Sequence, residues 1–177
     1  MYNQIKNKFS FNYKKAVASL LYVSKDVHNL YNIVKIFYFA DKEHLRKYGR
    51  FIFGDTYIAM DYGQMPSKIY DMIKYVRGDG GSDFDKSLKK LISVDEKFTV
   101  TAKVEPDLDL LSPSDIECLN ESIKKYGKMT FKRLLNASHS DQAYLDTPRD
   151  HEIKLESIID TLENKKEIKS YLKNLYQ

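Results

Sequence analysis

One helix-like segment of the chain gathers side chains of the types that bind metals and move protons. Asp41-Lys42-Glu43-His44 follows a run of apolar residues that also contains Tyr38. Residues three apart share a face of a helix, so Asp41 and His44 could supply two ligands to a divalent metal. His139 stands in a polar segment further along and could add a third. One hypothesis is therefore a metal-dependent enzyme that uses Asp41, His44 and His139.

Complete catalytic patterns are absent from the sequence. The chain contains no His-Glu-x-x-His pair and no second His/Asp pair at ligand spacing. The Ser-His-Ser-Asp run at residues 138–141 is contiguous, whereas a nucleophilic triad draws its members from separate elements. The single cysteine, Cys118, has acidic neighbours that disfavour a thiolate, so we predict that it fills space in the core. These observations favour a protein that is not an enzyme and holds no cofactor.

Length and composition predict one packed domain. The chain has 177 residues, of which 42% are hydrophobic and 31% are charged, so it has enough apolar material for a core. No apolar stretch approaches the roughly 20 residues that cross a bilayer. The first residues also lack the apolar centre of a secretory signal. We expect a cytoplasmic protein that makes no membrane contact.

Charge is spread unevenly along the chain. Residues 1–50 hold ten Lys and Arg against three Asp and Glu, whereas residues 95–121 hold two against eight. The basic first third could follow a phosphate backbone, but it lacks an Arg-rich run, a zinc finger or a base-stacking signature, so nucleic acid is disfavoured as a partner. The 14 tyrosines are concentrated in the first half and are typical either of a protein interface or of an ordinary core edge.

Hydrophobic periodicity and capping residues predict a mainly helical chain. The longest predicted helix runs from residue 27 to Gly49 and has a wide apolar surface that suits the centre of the core. Ser82 with Asp85 predicts a short helix through Ile92, after an exposed glycine-rich loop at residues 78–82. Further helix starts are predicted at these capping and first-turn residues: Asn12, Pro66, Ser112, Thr130 and Thr147.

Two segments rich in β-branched residues predict the strands. Residues 98–104 alternate, and we expect them to pair with residues 56–60. Residues 51–53 favour another short strand. The predicted fold class is therefore α+β, a mainly α-helical single domain with a small antiparallel β-sheet.

An ordered series of motifs resembles a known family. The first block comprises residues 35–50, residues 54–60, and residues 62–67 with Tyr70, and the second comprises residues 111–116, Tyr126-Gly127 and residues 137–141. Together they are similar to the Panacea domain of the SocA-like antitoxin family, which includes proteins labelled phage-associated. Members usually read Gly-Pro-Val-Pro where this chain has residues 63–66, and Pro-Ala-Trp is common at residues 142–144.

The resemblance implies the antitoxin of a type II toxin–antitoxin module. Such a protein would neutralise a cognate toxin, encoded by an adjacent gene, by direct binding; an adaptor that delivers the toxin to a protease is the alternative. We predict a Panacea domain at residues 1–146 and a helical C-terminal extension at residues 147–177 that packs on it and could add toxin contacts or a homodimer surface. Arg50 could pair with Asp41 or Asp55. The expected protein-binding residues are Tyr38, Asp41, His44, Arg50, Tyr57 and His139.

Overall fold

The computed structural model describes residues 9–80 and 84–175. These residues form α-helices together with two antiparallel sheets of two strands each, so the predicted α+β, mainly helical class is confirmed. The elements in chain order are α1 Tyr13–Val23, α2 Leu30–Tyr48, β1 Tyr57–Met60, β2 Gly63–Pro66, α3 Ser67–Arg77, α4 Leu88–Leu91, β3 Ile92–Val94, β4 Val100–Ala102, a 3-10 turn Leu108–Leu110, α5 Pro113–Tyr126, α6 Phe131–His139, α7 Gln142–Leu145, α8 Leu155–Asp160 and α9 Lys165–Leu175.

Helix ends follow local capping chemistry. The Asn12 side chain accepts a hydrogen bond from the Lys15 N–H at 3.0 Å and so begins α1, as predicted. Ser112 and Asp115 form a reciprocal capping box at the start of α5. Gly49 ends α2 in the left-handed conformation, at a φ of 70°. Such ends are predictable because they depend on residues only a few positions apart.

The strand pairing differs from the prediction. β1 pairs with β2 across the turn at residues 61–62, and β4 pairs with β3, so the expected pairing of residues 56–60 with residues 98–104 is wrong. Closing these short local hairpins costs less chain entropy than joining distant segments. Residues 51–53 are buried but form no strand, and Ile92, expected in a helix, opens β3. Ser82 lies outside the described residues.

The expected helix start at Thr147 is also wrong, because β1 uses the backbone of the following residues. Asp150 N–H donates to the Ala59 carbonyl at 2.7 Å, and Ile153 N–H donates to the Tyr57 carbonyl at 2.8 Å. Asp150 turns the chain with a φ of 62°, a conformation that Asp tolerates better than most residues. Residues 150–153 therefore line the second edge of β1, and the helix begins only at Leu155.

Helix α2 lies between two apolar clusters. One side packs with α1, α3 and α5, and the other packs with α8 and α9 through residues such as Ile159 and Leu172. Cys118 belongs to the first cluster, and burial raises the pKa of its thiol to about 12, so its predicted role as a core residue is confirmed. Within residues 9–80 and 84–175, no helix is both long enough and apolar enough to cross a membrane.

Candidate functional site

A row of polar side chains runs along the buried helix α2. Lys35, Tyr38, Asp41 and His44 recur every three residues, and each is at most 1% exposed. Lys, Asp and His are seldom buried this completely unless they are paired. Each of the four bonds to a different element of the fold, so we call them the buried polar row and describe its partners in turn.

Asp41 joins α2 to the segment that enters β1. Its Oδ1 accepts the Ile52 N–H at 2.7 Å, and its Oδ2 accepts the Tyr57 hydroxyl at 2.7 Å. Burial raises the pKa of Asp41 to about 7, although both hydrogen bonds favour the charged form. The Tyr38 and Tyr57 rings pack edge to face at 5.1 Å beside this carboxyl group.

His44 joins α2 to the start of α5. Its Nε2 lies 3.2 Å from Asp115 Oδ1 and its Nδ1 lies 2.9 Å from the Arg50 carbonyl, which requires Nδ1 to carry a proton. The Asp115 carboxylate also forms ion pairs with Lys15 Nζ at 2.6 Å and with Arg50 Nη2 at 3.0 Å. Burial would raise the pKa of Asp115, but hydrogen bonds from His44, Lys15 and Ser112 outweigh it and hold that pKa well below its usual range.

The pairing predicted for Arg50 is wrong. Its guanidinium group bonds to Asp115 rather than to Asp41 or Asp55. Asp41 is occupied as described above, and Asp55 accepts backbone N–H groups instead, including those of Lys68 at 2.9 Å and Ile69 at 3.0 Å at the start of α3. Asp55 therefore stabilises a helix start, as carboxylates at that position do.

Tyr38 joins α2 to the start of α7. Its hydroxyl donates to Asp141 Oδ1 at 2.9 Å, and Lys42 forms an ion pair with the other carboxylate oxygen. Asp141 also caps α7 by accepting the Tyr144 N–H at 3.2 Å. Burial and the neighbouring Asp141 charge raise the pKa of Tyr38 well above its ordinary value, so the hydroxyl remains a donor.

Lys35 joins α2 to β2. Its Nζ donates to the Gln64 carbonyl at 2.6 Å, and no carboxylate of the described residues pairs with it. Burial lowers the pKa of Lys35 to about 7. A Cβ at Gly63 would lie 2.9 Å from Lys35 Nζ and 2.7 Å from Ser138 Cβ, so this close packing requires glycine.

His139 holds the turn between β1 and β2. Each of the three backbone carbonyls of that turn accepts a hydrogen bond from an aromatic side chain. The Met60 carbonyl accepts from the Tyr144 hydroxyl at 2.9 Å, and the Asp61 carbonyl accepts from His139 Nε2 at 3.1 Å. The Tyr62 carbonyl accepts from the Tyr31 hydroxyl at 3.0 Å. The His139 ring also stacks on Tyr144. The turn is thus tied to α2, α6 and α7 at once.

The six predicted protein-binding residues fall into different environments. Tyr38, Asp41 and Tyr57 meet in one buried group, His44 is buried in the Asp115 group, and only Arg50 and His139 reach the surface. Contact between these residues and a partner remains a prediction. Lys35, Asp115, Gln64 and Asp141 were not among the predicted binding residues, although the three-residue spacing within an apolar helix and the capping box at Ser112 are signals in the sequence.

Metal binding finds little support in this geometry. Asp41, His44 and His139, proposed above as a ligand set, belong to three separate hydrogen-bond groups. Among the described residues, no three His, Cys, Asp or Glu side chains are placed to hold one ion. The polar groups instead fix the relative positions of helices and strands.

The family model described as "Antitoxin SocA-like, Panacea domain" matches residues 33–144, which is more than half of the chain. The match includes the entire buried polar row and its acidic partners Asp115 and Asp141. Comparisons with curated proteins and with solved structures find no match. The resemblance seen in the sequence motifs is confirmed, and the chain belongs to the SocA-like antitoxin family with a Panacea domain.

Proposed function

We propose that this protein is the antitoxin of a type II toxin–antitoxin module and that it neutralises its cognate toxin by direct binding. The family match over residues 33–144 carries the proposal. The toxin would be a protein encoded by the adjacent gene, and both proteins would meet in the cytoplasm. No enzymatic step is needed for this action.

The buried polar row supports a binding role because it builds a rigid scaffold. Its bonds hold β1, β2, α5 and α7 against the central helix α2. A surface that is already fixed loses less conformational entropy when it binds a partner. In this proposal Arg50 and His139 contact the toxin, whereas Tyr38, Asp41, His44 and Tyr57 act by shaping the surface.

We also propose that residues 147–177 form an extension of a domain at residues 1–146. Ile158 and Ile159 of α8 and Leu172 of α9 share one apolar cluster with Tyr57 of β1. Because the extension covers that side of the fold, its first task is to stabilise the domain. A homodimer through this extension would appear as a doubled mass in light scattering.

Co-expression tests the proposal. The adjacent gene is induced in cells that carry either this chain or an empty vector, and growth is measured. The neighbouring protein should arrest growth alone, and this chain should restore growth. A harmless neighbour, or a neighbour that stays toxic beside an expressed chain, would contradict the proposal.

Two measurements separate the alternatives. If the protein masks its toxin, the toxin accumulates in an inactive complex, whereas an adaptor shortens the toxin's half-life in cells with an active protease. Metal analysis of the purified protein addresses the enzyme hypothesis. Masking predicts no stoichiometric metal, and a tightly held equivalent would favour an enzyme that uses Asp41, His44 and His139.

A further inference from the structure

We infer that one exposed surface docks an acidic segment of the toxin that carries an apolar anchor. It combines the packed rings of Tyr31, Tyr62 and Phe131 with the exposed cations that flank Phe131 in the chain, Lys128, Lys132 and Arg133, and we call it the aromatic–basic surface. The inference rests on the proposed function, because it assigns the toxin as the occupant.

The aromatic part of this surface is large and open. Tyr62 is 61% exposed and Phe131 is 50% exposed, although both are bulky side chains. The Phe131 ring lies 4.7 Å from the Tyr31 ring and 5.7 Å from the Tyr62 ring, measured between centroids. Contiguous exposed aromatic groups of this kind are typical of protein interaction sites, where they become binding hot spots.

The chain on either side of Phe131 is positively charged, and Asp61, the carboxylate next to Tyr62, is paired with Arg149 at 2.9 Å. Residues 122–140 contain five Lys and Arg and no Asp or Glu. Lys128, Lys132 and Arg133 are exposed, and none of them forms an ion pair with a described residue. The unpaired cations therefore attract an acidic partner.

The start of α6 adds to this positive field. Thr130 occupies the N-cap position but its side chain makes no capping hydrogen bond. The first N–H groups of a helix carry partial positive charge and bind carboxylates when no cap satisfies them. Because α6 begins at Phe131, these groups lie at the aromatic cluster itself. A carboxylate beside an apolar anchor would satisfy both features.

The surface is fixed before binding. The Asn32 side chain donates to the carbonyls of Tyr126 at 3.1 Å and Met129 at 3.0 Å, which ties the connection between α5 and α6 to helix α2. The Tyr31 hydroxyl bonds to the Tyr62 carbonyl at 3.0 Å and fixes the turn of the β1–β2 hairpin. Preorganisation of this kind favours affinity.

The ring geometry favours a protein segment over nucleic acid. The planes of Tyr31 and Phe131 meet at 41°, and those of Tyr62 and Phe131 meet at 70°. The rings therefore pack against one another as a ridge. A platform for bases would instead present flat ring faces for successive stacking.

Charge reversal tests the inference. Binding of the purified protein encoded by the adjacent gene is measured by calorimetry for the full chain and for Lys132→Glu/Arg133→Glu. The matched control is Lys86→Glu/Lys90→Glu, which makes the same change of charge at exposed positions that form no ion pair with a described residue and lie outside the C-terminal extension. We expect the first variant to raise Kd at least tenfold and the control to change it less than about threefold, since like charges at an interface repel.

A neutral variant provides the second test. Tyr62→Ala removes an exposed ring but leaves the Tyr62 carbonyl that accepts from Tyr31. It should raise Kd at least tenfold, whereas Leu108→Ala, a truncation on the 3-10 turn at a side chain that is 50% exposed, should not. Thermal unfolding is measured for every variant, and equal melting temperatures show that a loss of binding is not a loss of fold.

The outcomes distinguish this inference from the proposed function. If the unaltered chain neither binds nor neutralises its neighbour, the proposed function fails and the docking inference fails with it. If the unaltered chain binds the toxin and both surface variants bind it with the same Kd as the unaltered chain, only the docking inference is overturned. It is also overturned if the unaltered chain binds a 20-nucleotide single-stranded DNA, and the charge-reversal variant no longer binds this DNA but binds the toxin with unchanged Kd.

Discussion

Replacing Lys35 by methionine should stabilise the protein at neutral pH. Lys35 is fully buried, has one hydrogen bond to the Gln64 carbonyl, and pairs with no carboxylate of the described residues. Lowering the pKa of Lys35 from 10.5 to about 7 corresponds to a cost on the order of 5 kcal/mol for holding the ammonium group charged in the fold. Methionine has a similar length and no charge. It leaves the buried Gln64 carbonyl without this donor, at a cost of about 1–3 kcal/mol, and gives up the contact of Lys35 Nζ with the Tyr31 ring at 5.1 Å, so the charge term still decides the sign.

The pH dependence follows from the direction of the shift. Below pH 7 Lys35 is protonated in both folded and unfolded states, so the full cost is present. Between pH 7 and about 10.4 the folded state releases this proton while the unfolded state keeps it, so stability rises with pH by up to about 1.4 kcal/mol per pH unit. The advantage of Lys35→Met should therefore shrink by about 2 kcal/mol between pH 7 and pH 8.5.

Urea unfolding followed by circular dichroism measures this difference. Lys35→Met and the parent protein are compared at both pH values, so that contributions from all other titrating groups cancel. Lys166→Met, at an exposed position of α9, is the control and should show no pH-dependent difference. A Lys35→Met protein that is less stable than the parent at pH 7, or whose advantage is the same at both pH values, would contradict a charge cost at Lys35.

Three further substitutions test other parts of the scaffold. Tyr57→Phe leaves one oxygen of the buried Asp41 carboxyl without its donor and should lower the free energy of unfolding by about 1–3 kcal/mol, measured in urea. Gly63→Ala should cost at least about 1 kcal/mol by the same measurement, because φ is 97° and the new Cβ would crowd Ser138; an unchanged midpoint would contradict this packing. Asp115→Asn should lower the free energy of unfolding in urea at pH 7, and the difference should begin to shrink only as the pH falls below about 4 and disappear toward the depressed pKa of Asp115; a difference that stays constant down to that pH would contradict the Asp115 assignment.

The fold was predictable from sequence where short-range chemistry decides it. Asn12, Gly49 and the Ser112–Asp115 pair each act within a few residues of a helix end, and each prediction is confirmed. Strand pairing depends on which distant backbone groups compete for an edge. β2 pairs with one edge of β1, and residues 150–153 form hydrogen bonds along the other edge. Neither segment has a strand-like composition.

The site was only half predictable for a related reason. The types and spacing of Tyr38, Asp41 and His44 marked α2 as important, and an apolar helix that carries polar residues every three positions indicates a buried row. Their partners come from positions 57, 115 and 141, which only the packing of β1, α5 and α7 brings to α2. No local signal joins such distant residues.

The most direct test of the account is a titration of the toxin's activity with this protein. The purified product of the adjacent gene is held at a fixed concentration well above Kd, and its residual activity is measured as this chain is added. Direct binding predicts a linear loss of activity that ends at a fixed molar ratio, with both proteins intact in one complex. Complete inactivation by a small fraction of an equivalent, or activity that persists beside an excess of folded protein, would contradict the account.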